Sequence, residues 1–302
     1  MSNSSPDGVS ARKGIVLAGG TGTRLYPITK AVSKQLVPVH DKPMIYYPLS
    51  VLMLAGIREV LVITTPHDAR AFRNLLGDGS DWGMQIDYAV QEAPNGIAEA
   101  LVIAEPYLGG APSALILGDN IFYGNGLARL LDEAMAEQAG ARIFAYRVSD
   151  PSRYGVVEFG RDGQVVGLAE KPAKPVSPFA MTGLYFYDET ASARARDLRP
   201  SERGEIEITD LNRSYLADDA LSVALMGRGY TWLDTGTHAA LLDAGNFVRI
   251  TEERQAIKVC CPEEIAWRKG FIDDDQLARL AEPLKQSGYG HYLLQLLRNE
   301  LG

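Results

Sequence analysis

The segment Ile15-Val16-Leu17-Ala18-Gly19-Gly20-Thr21-Gly22-Thr23-Arg24-Leu25 constrains this chain more than any other. A short apolar strand runs into a glycine-dense turn that closes on an arginine. Glycines at 19, 20 and 22 let the backbone adopt positive φ and approach a ligand with no Cβ in the way. Successive bare N–H groups in such a turn form a concavity for phosphate, and Arg24 adds a cationic fork. The turn lacks the Gly-Lys-Ser/Thr ending of a Walker A loop. Leu25 stands where a dinucleotide fingerprint would carry its third glycine. A plain strand-to-helix turn could use the same glycines. The sequel, Thr29 to Val39, favours a polyphosphate because it adds Lys30, Lys34 and Gln35 to a chain that is otherwise acidic.

Short β-branched runs alternate with helical patterns, the signal for an α/β sheet with parallel strands. Strands are expected at Lys13–Ala18, Glu59–Thr65, Gln85–Val90, Ala114–Leu117 and Ala141–Arg147, and helices at Met44–Ala55, Ala98–Ala104 and Leu127–Ala139. After Asp150-Pro151 the pattern changes to hairpin-like pieces, Gly155–Phe159, Val165–Glu170 and Met181–Tyr187, read as a wall of a binding site. From Thr237 the chain reads as helical: Leu241–Glu252, Cys261–Lys269, Asp274–Ala281 and Gly290–Leu297. The expected organisation is a disordered tail at 1–12, one core at 13–236 with insertions at about 150–215, and a helical extension at 237–302.

Several polar residues stand where such a sheet would hold ligands. Asp119, in Leu117-Gly118-Asp119-Asn120, follows a buried strand, a position that can be a ligand site or only a helix cap. Asp234 ends a second apolar piece, Tyr230-Thr231-Trp232-Leu233. Two carboxylates meeting at one point would suit Mg²⁺, which takes oxygen ligands from protein and phosphate together. Gln91, in Gln91-Glu92-Ala93-Pro94-Asn95-Gly96, carries an amide able to both donate and accept on a pyrimidine edge. Glu170 and Lys171 could divide the hydroxyls and phosphate of a sugar phosphate between them, or could be a solvated surface pair.

These motifs, with Asp41-Lys42-Pro43-Met44-Ile45, resemble the signature of the sugar-phosphate nucleotidylyltransferases, from about Lys13 to about Leu297. The resemblance implies an α/β, Rossmann-like nucleotide-diphospho-sugar transferase fold: a mostly parallel mixed sheet flanked by helices, with a helical C-terminal extension. The implied activity is transfer of dTMP from dTTP to α-D-glucose 1-phosphate, with pyrophosphate leaving. A same-fold enzyme using UTP or another sugar 1-phosphate, and a non-catalytic nucleotide-sugar sensor, are the other readings.

By the same resemblance, Leu17, Gly19, Gly20, Thr21, Gly22, Thr23, Arg24, Lys34, Gln35, Gln91, Gly96 and Asp119 bind the nucleotide. Asn120, Tyr154, Gly155, Glu170, Lys171, Met181 and Arg203 bind the sugar phosphate. Asp119 and Asp234 hold Mg²⁺, and Arg24, Lys34, Lys171 and Asp119 carry the catalysis. Proline commonly follows the family's base-reading glutamine, a second glutamine stands at the place of Glu99, and close relatives often carry valine at the place of Met181. The family is typically a homotetramer with a second nucleotide-sugar site for feedback inhibition.

Composition excludes more than it selects. A net charge of −8 over 302 residues argues against a general nucleic-acid or anionic-membrane surface. Cys260 and Cys261 are adjacent, a poor geometry for a disulfide and not a zinc spacing. His40, His67, His238 and His291 show no ligand pairing. No apolar run reaches membrane-spanning length, and Met1 to Arg12 lacks the apolar centre of a secretory signal. A soluble cytoplasmic protein is the expectation. Leu280, Leu284, Leu293, Leu294, Leu296 and Leu297 are expected to form a packing surface for a homo-oligomer.

Overall fold

Lys13–Ala18 lies in the middle of the main sheet of the computed structural model, which describes residues 11–298. It pairs in parallel with Glu59–Thr64 on one side and Ser113–Leu117 on the other. Gln85–Val90 extends this parallel half beyond Glu59–Thr64. The other half is antiparallel in large part. Phe179–Tyr187 runs against Ser113–Leu117 on one edge and Ala141–Arg147 on the other. Leu221–Met226 closes that side, parallel to Ala141–Arg147. The hairpin Gly155–Phe159 and Val165–Glu170 joins at the start of Phe179–Tyr187, where Val156 faces Ala180. Among the described residues the result is one mixed sheet of nine strands.

Strand alternation sorts the core into two layers. Successive side chains point to opposite faces, so Val16, Val60, Val62, Ala114 and Ile116 share one cluster while Ile15, Leu61, Ile63 and Leu115 share the other. The first cluster is covered by helices Tyr46–Leu54, Ala69–Leu76 and Leu127–Ala136. The second is covered by Glu99–Leu108, Ala191–Asp197 and Ile208–Ala217. Central strands buried on both faces need apolar residues at every position, which is why they read as continuous apolar runs.

The structure revises three expectations. Residues 1–10 of the expected tail lie outside the described residues, but Arg12 is buried. Its guanidinium donates to the carbonyls of Ser113 and Tyr187 at 2.9 and 2.6 Å and to that of Glu137. Burial pushes the Arg12 pKa down to about 10, partly offset by Asp188 and Glu137, so it stays charged at neutral pH. Second, Phe179–Tyr187 is an interior strand of the main sheet rather than an insertion, although its Met181, Thr182, Gly183 and Tyr185 do form part of a cavity wall. Third, Leu293 and Leu296 are spent inside this chain's own first core cluster, with Leu280, Leu294 and Leu297 packed beside them, and Leu284 alone of the six is exposed. Among the described residues no helix is long and apolar enough to cross a membrane.

Candidate active site

The two predicted carboxylates meet through a ribbon separate from the main sheet. After Ser113–Leu117, Gly118 makes a close turn in which its N–H bonds the Leu17 carbonyl at 2.8 Å. A Cβ on Gly118 would stand 2.9 Å from that oxygen and 3.0 Å from the Gln35 side chain, so only glycine lets the chain pass. The chain then continues as Asn120–Gly124, which pairs antiparallel with Tyr230–Asp234, and Asn120 faces Asp234 in the register. Asp119 and Asp234 therefore stand at the same end of one ladder and line one cavity of about 170 Å³. Thr235 ties the turn together by donating its N–H and hydroxyl to the Asp119 carbonyl at 3.3 and 3.0 Å.

Charge around the pair is balanced. Lys34 makes an ion pair with Asp119, and Asn120 Nδ2 donates to the same carboxylate at 2.8 Å. Asp234 accepts from the Tyr154 hydroxyl at 3.0 Å and faces Arg153 at 3.5 Å. Burial, and then the Asp234 charge, push the Tyr154 phenol up to about 12, so it remains a donor across the working pH range. Both carboxylates keep about a quarter of their side-chain surface open. Two partly open carboxylates on one cavity fit a hard divalent cation that completes its shell with phosphate and water. A larger ligand cluster, His40, Asp41 and Glu252, lies elsewhere, but its carboxylates are taken up by Lys42 and Lys258.

The glycine turn is open to solvent at Gly20, Thr21, Thr23 and Arg24, with positive φ at Gly20 and Gly22. Buried Leu25 anchors its far end, and the Thr29 hydroxyl closes it on the Gly22 carbonyl at 2.6 Å. Gln35 is also buried, with Nε2 on the Gly19 carbonyl at 3.2 Å and Oε1 accepting from Ser33. Arg24 makes no hydrogen bond or ion pair among the described residues, whereas Lys34 is engaged on Asp119.

Beside this turn lies the loop from Gln91 to Ala98. Gln91 Nε2 donates to the Gly96 carbonyl at 3.1 Å and to Glu99 at 2.7 Å. Gly96 adopts φ +113°, and a Cβ there would stand 2.3 Å from the Ile206 carbonyl oxygen. The loop is thereby docked on Ile206, which exchanges backbone hydrogen bonds with Asn95 and Ala98.

On the sugar side, Glu170 accepts from the Thr209 hydroxyl and faces Arg203 and Lys171, each at 3.2 Å. Gly155 packs against Met181, whose Cε would lie 2.1 Å from a Cβ on that glycine. Tyr154 meets Trp232 edge to face at 5.2 Å between ring centres. Asn120 is buried, its Oδ1 accepting from Trp232 Nε1 at 2.6 Å and from the Gly183 N–H at 3.1 Å.

Of the predicted residues, Asp119, Asn120, Tyr154, Gly155, Glu170, Lys171, Met181 and Asp234 line this cavity together. Arg203 does not; its guanidinium is held by Glu170, Glu205 and Glu207. Sequence reasoning missed Trp232 and Thr182, which also line it. Trp232 could have been found from period two, since it shares a strand face with Asp234. The Thr182 hydroxyl is buried and has no hydrogen-bond partner among the described residues.

A sheet whose strand ends present a glycine turn, a carboxylate pair and a polar cavity defines a class of nucleotide-handling transferases. The nucleotidyl transferase family model matches residues 13–250. A glucose-1-phosphate thymidylyltransferase of Xanthomonas campestris pv. campestris is 59% identical over 290 residues, covering 96% of this chain and 98% of that one. Another, of Mycolicibacterium smegmatis, is 59% identical over 288 residues, covering 95% and 100%. Among solved structures, a Bacillus anthracis protein provisionally described as a glucose-1-phosphate thymidylyltransferase, with sucrose bound, superposes with TM-score 0.74. It is 39% identical and covers 79% of this chain and 96% of its own. A UDP-glucose pyrophosphorylase with UDP-glucose bound is 23% identical with TM-score 0.69, covers 80% and 100%, and shares the fold. The chain belongs to the nucleotidyl transferase family, among its glucose-1-phosphate thymidylyltransferases.

Proposed function

We propose that the chain transfers dTMP from dTTP to α-D-glucose 1-phosphate, giving dTDP-glucose and pyrophosphate. The observation that carries this reading is the Asn120–Asp234 register, which sets two carboxylates on one cavity also lined by Glu170 and Lys171. A phosphate monoester is already an anionic nucleophile, so its oxygen attacks the α-phosphorus with no general base required. The protein's task is to bring two anions together and offset their charge. Lys171 orients the sugar phosphate while Glu170 and Gly155 meet the hexose, with Arg203 held close behind. Lys34 offsets charge on the nucleotide phosphates, and Arg24 steadies the departing pyrophosphate. The glycine turn seats the triphosphate, and Gln91 and Gly96 meet the thymine.

Asp119 and Asp234 would hold Mg²⁺, which when bound neutralises charge on the phosphates. A homo-oligomer, tetrameric as the family typically is, working in the cytoplasm, belongs to the same reading. The division into a core, its sugar-side hairpin and a C-terminal helical extension belongs to it as well.

The test is pyrophosphate release with glucose 1-phosphate and Mg²⁺, comparing dTTP with UTP, CTP, ATP and GTP. Fast turnover with dTTP is expected. Preference for another triphosphate would move the chain to a different nucleotide, and silence with every triphosphate and every sugar phosphate would overturn catalysis.

A further inference from the structure

Both N–H protons of the Gln91 amide are committed within the protein. Nε2 donates to Glu99 Oε2 at 2.7 Å and to the Gly96 carbonyl at 3.1 Å. An ionised carboxylate and a backbone carbonyl can only accept. The amide nitrogen must therefore face them, and the amide oxygen must face away. That oxygen lies on the side of the glycine turn, where it is the nearest atom, at 3.0 Å, to the place a Cβ on Gly19 would take. It has no hydrogen-bond partner among the described residues. Glu99 is itself fixed. Asn95 Nδ2 donates to its Oε1 at 2.8 Å, and its charge sits at the first position of helix Glu99–Leu108, where a negative charge is favoured.

We propose that Glu99 is a positioning residue for base selection: it locks the Gln91 amide so that only a carbonyl oxygen is offered to the nucleotide. Set against ring N3, a lone acceptor selects the pyrimidines that carry a proton there, thymine and uracil, over cytosine, whose N3 is itself an acceptor and whose 4-amino donor lies one position away. With cytosine in that register, two lone pairs would face each other with no proton between them, the situation in which polar sites discriminate most strongly. The lock is indifferent to the 5-methyl group, so it treats dTTP and dUTP alike. The inference rests on the base-reading role given to Gln91 above.

Glu99→Ala is the informative change, because it removes the acceptor that holds Nε2 and leaves Gln91 free to turn and present Nε2 to cytosine. Glu99→Gln is the conservative control, since its amide oxygen can still accept from Gln91. Calorimetric binding of dTTP and dCTP, together with turnover on glucose 1-phosphate, should be measured for the wild type, Glu99→Gln and Glu99→Ala. The wild type should favour dTTP. The dTTP-to-dCTP affinity ratio should fall at least about tenfold in Glu99→Ala and stay close to the wild-type value in Glu99→Gln. A merely structural role would lower the melting temperature and leave the ratio alone, and that result overturns the lock. Equal binding of the two nucleotides by the wild type overturns it too. Selective binding without turnover of either nucleotide would refute the transferase reading and leave the lock standing.

Discussion

Thr235 gives both its backbone N–H and its hydroxyl to the carbonyl oxygen of Asp119, with Met44 Sδ 3.1 Å from the same hydroxyl, from a position with no solvent exposure. The residue after one carboxylate is thus fastened to the backbone of the other. Thr235→Val keeps the shape and the N–H but deletes the hydroxyl. It should lower unfolding free energy by about 1 kcal/mol, the net worth of one such bond. It should also lower kcat, because the Asp119 turn loses one of its two ties. Denaturant midpoints and steady-state kinetics read both, and an unchanged kcat would mean that the N–H alone sets the spacing.

Lys171 offers a cleaner separation of chemistry from stability. Its side chain is 41% exposed and its one ion pair, with Glu170, is partly solvated, so the fold loses little without it. Lys171→Ala should cut kcat by about 10² to 10³, as loss of a transition-state donor does. The melting temperature should stay close to that of the wild type. Full kcat in this variant would refute the role given to Lys171.

Lys42 is the opposite case. Its ammonium lies between Asp41 at 2.6 Å and Glu252 at 3.1 Å with almost no exposed surface, and Lys258 bridges the same two carboxylates. Burial pushes the Asp41 carboxyl up, but Lys42 and then Lys258 overcome this and hold it below its ordinary value of 3.8. A depressed carboxyl pKa stabilises the fold above the unfolded-state value, and that contribution is lost as pH falls through the folded-state value. Stability should therefore drop as pH is lowered below about 4, and less steeply in Lys42→Met at this site. At neutral pH the same variant should lose about 3 to 5 kcal/mol by stranding buried charge. Unfolding free energies from pH 3 to 7 would show both effects, and parallel pH curves for the two proteins would contradict the first.

Two glycines make a paired test of what can yield. A methyl at Gly96 would meet the carbonyl of Ile206 and would hold an alanine at φ +113°, a conformation that costs about 1–3 kcal/mol on its own. A methyl at Gly155 would crowd chiefly the Met181 Cε, the far end of a flexible side chain, with the Thr209 hydroxyl 3.0 Å away. Gly96→Ala should raise KM for the nucleotide and destabilise the loop. Gly155→Ala should act on the sugar phosphate KM instead, and Met181→Val should relieve it. Failure of that rescue would place the crowding elsewhere.

The parts of this molecule that were legible in its sequence are those fixed locally. Lys13–Ala18, Gln85–Val90 and Ala141–Arg147 end where periodicity ends them, because strand runs and the glycines or charges beside them are neighbours in the chain. The Asn120–Gly124 and Tyr230–Asp234 ribbon was not legible, since its pairing joins segments over a hundred residues apart and nothing local announces a partner. Trp232 reads locally as one residue of an apolar piece, yet its indole N–H fixes Asn120. Arg12 looked like tail because its three acceptors are backbone carbonyls, which carry no side-chain signature. Leu293 and Leu296 looked like an interface because a helix stripe does not say which apolar surface it will meet.

The ribbon also bears on what this molecule can inherit and what it can change. The relative placement of Asp119 and Asp234 is written in main-chain hydrogen bonds, which every residue type except proline can supply. Side chains in the core beneath can therefore drift over generations while the two acids keep their station. Insertions in either strand are another matter, because a slip of one position would turn Asp234 to the opposite face. Lineages descended from such a chain should tolerate substitution here far more readily than a change of length.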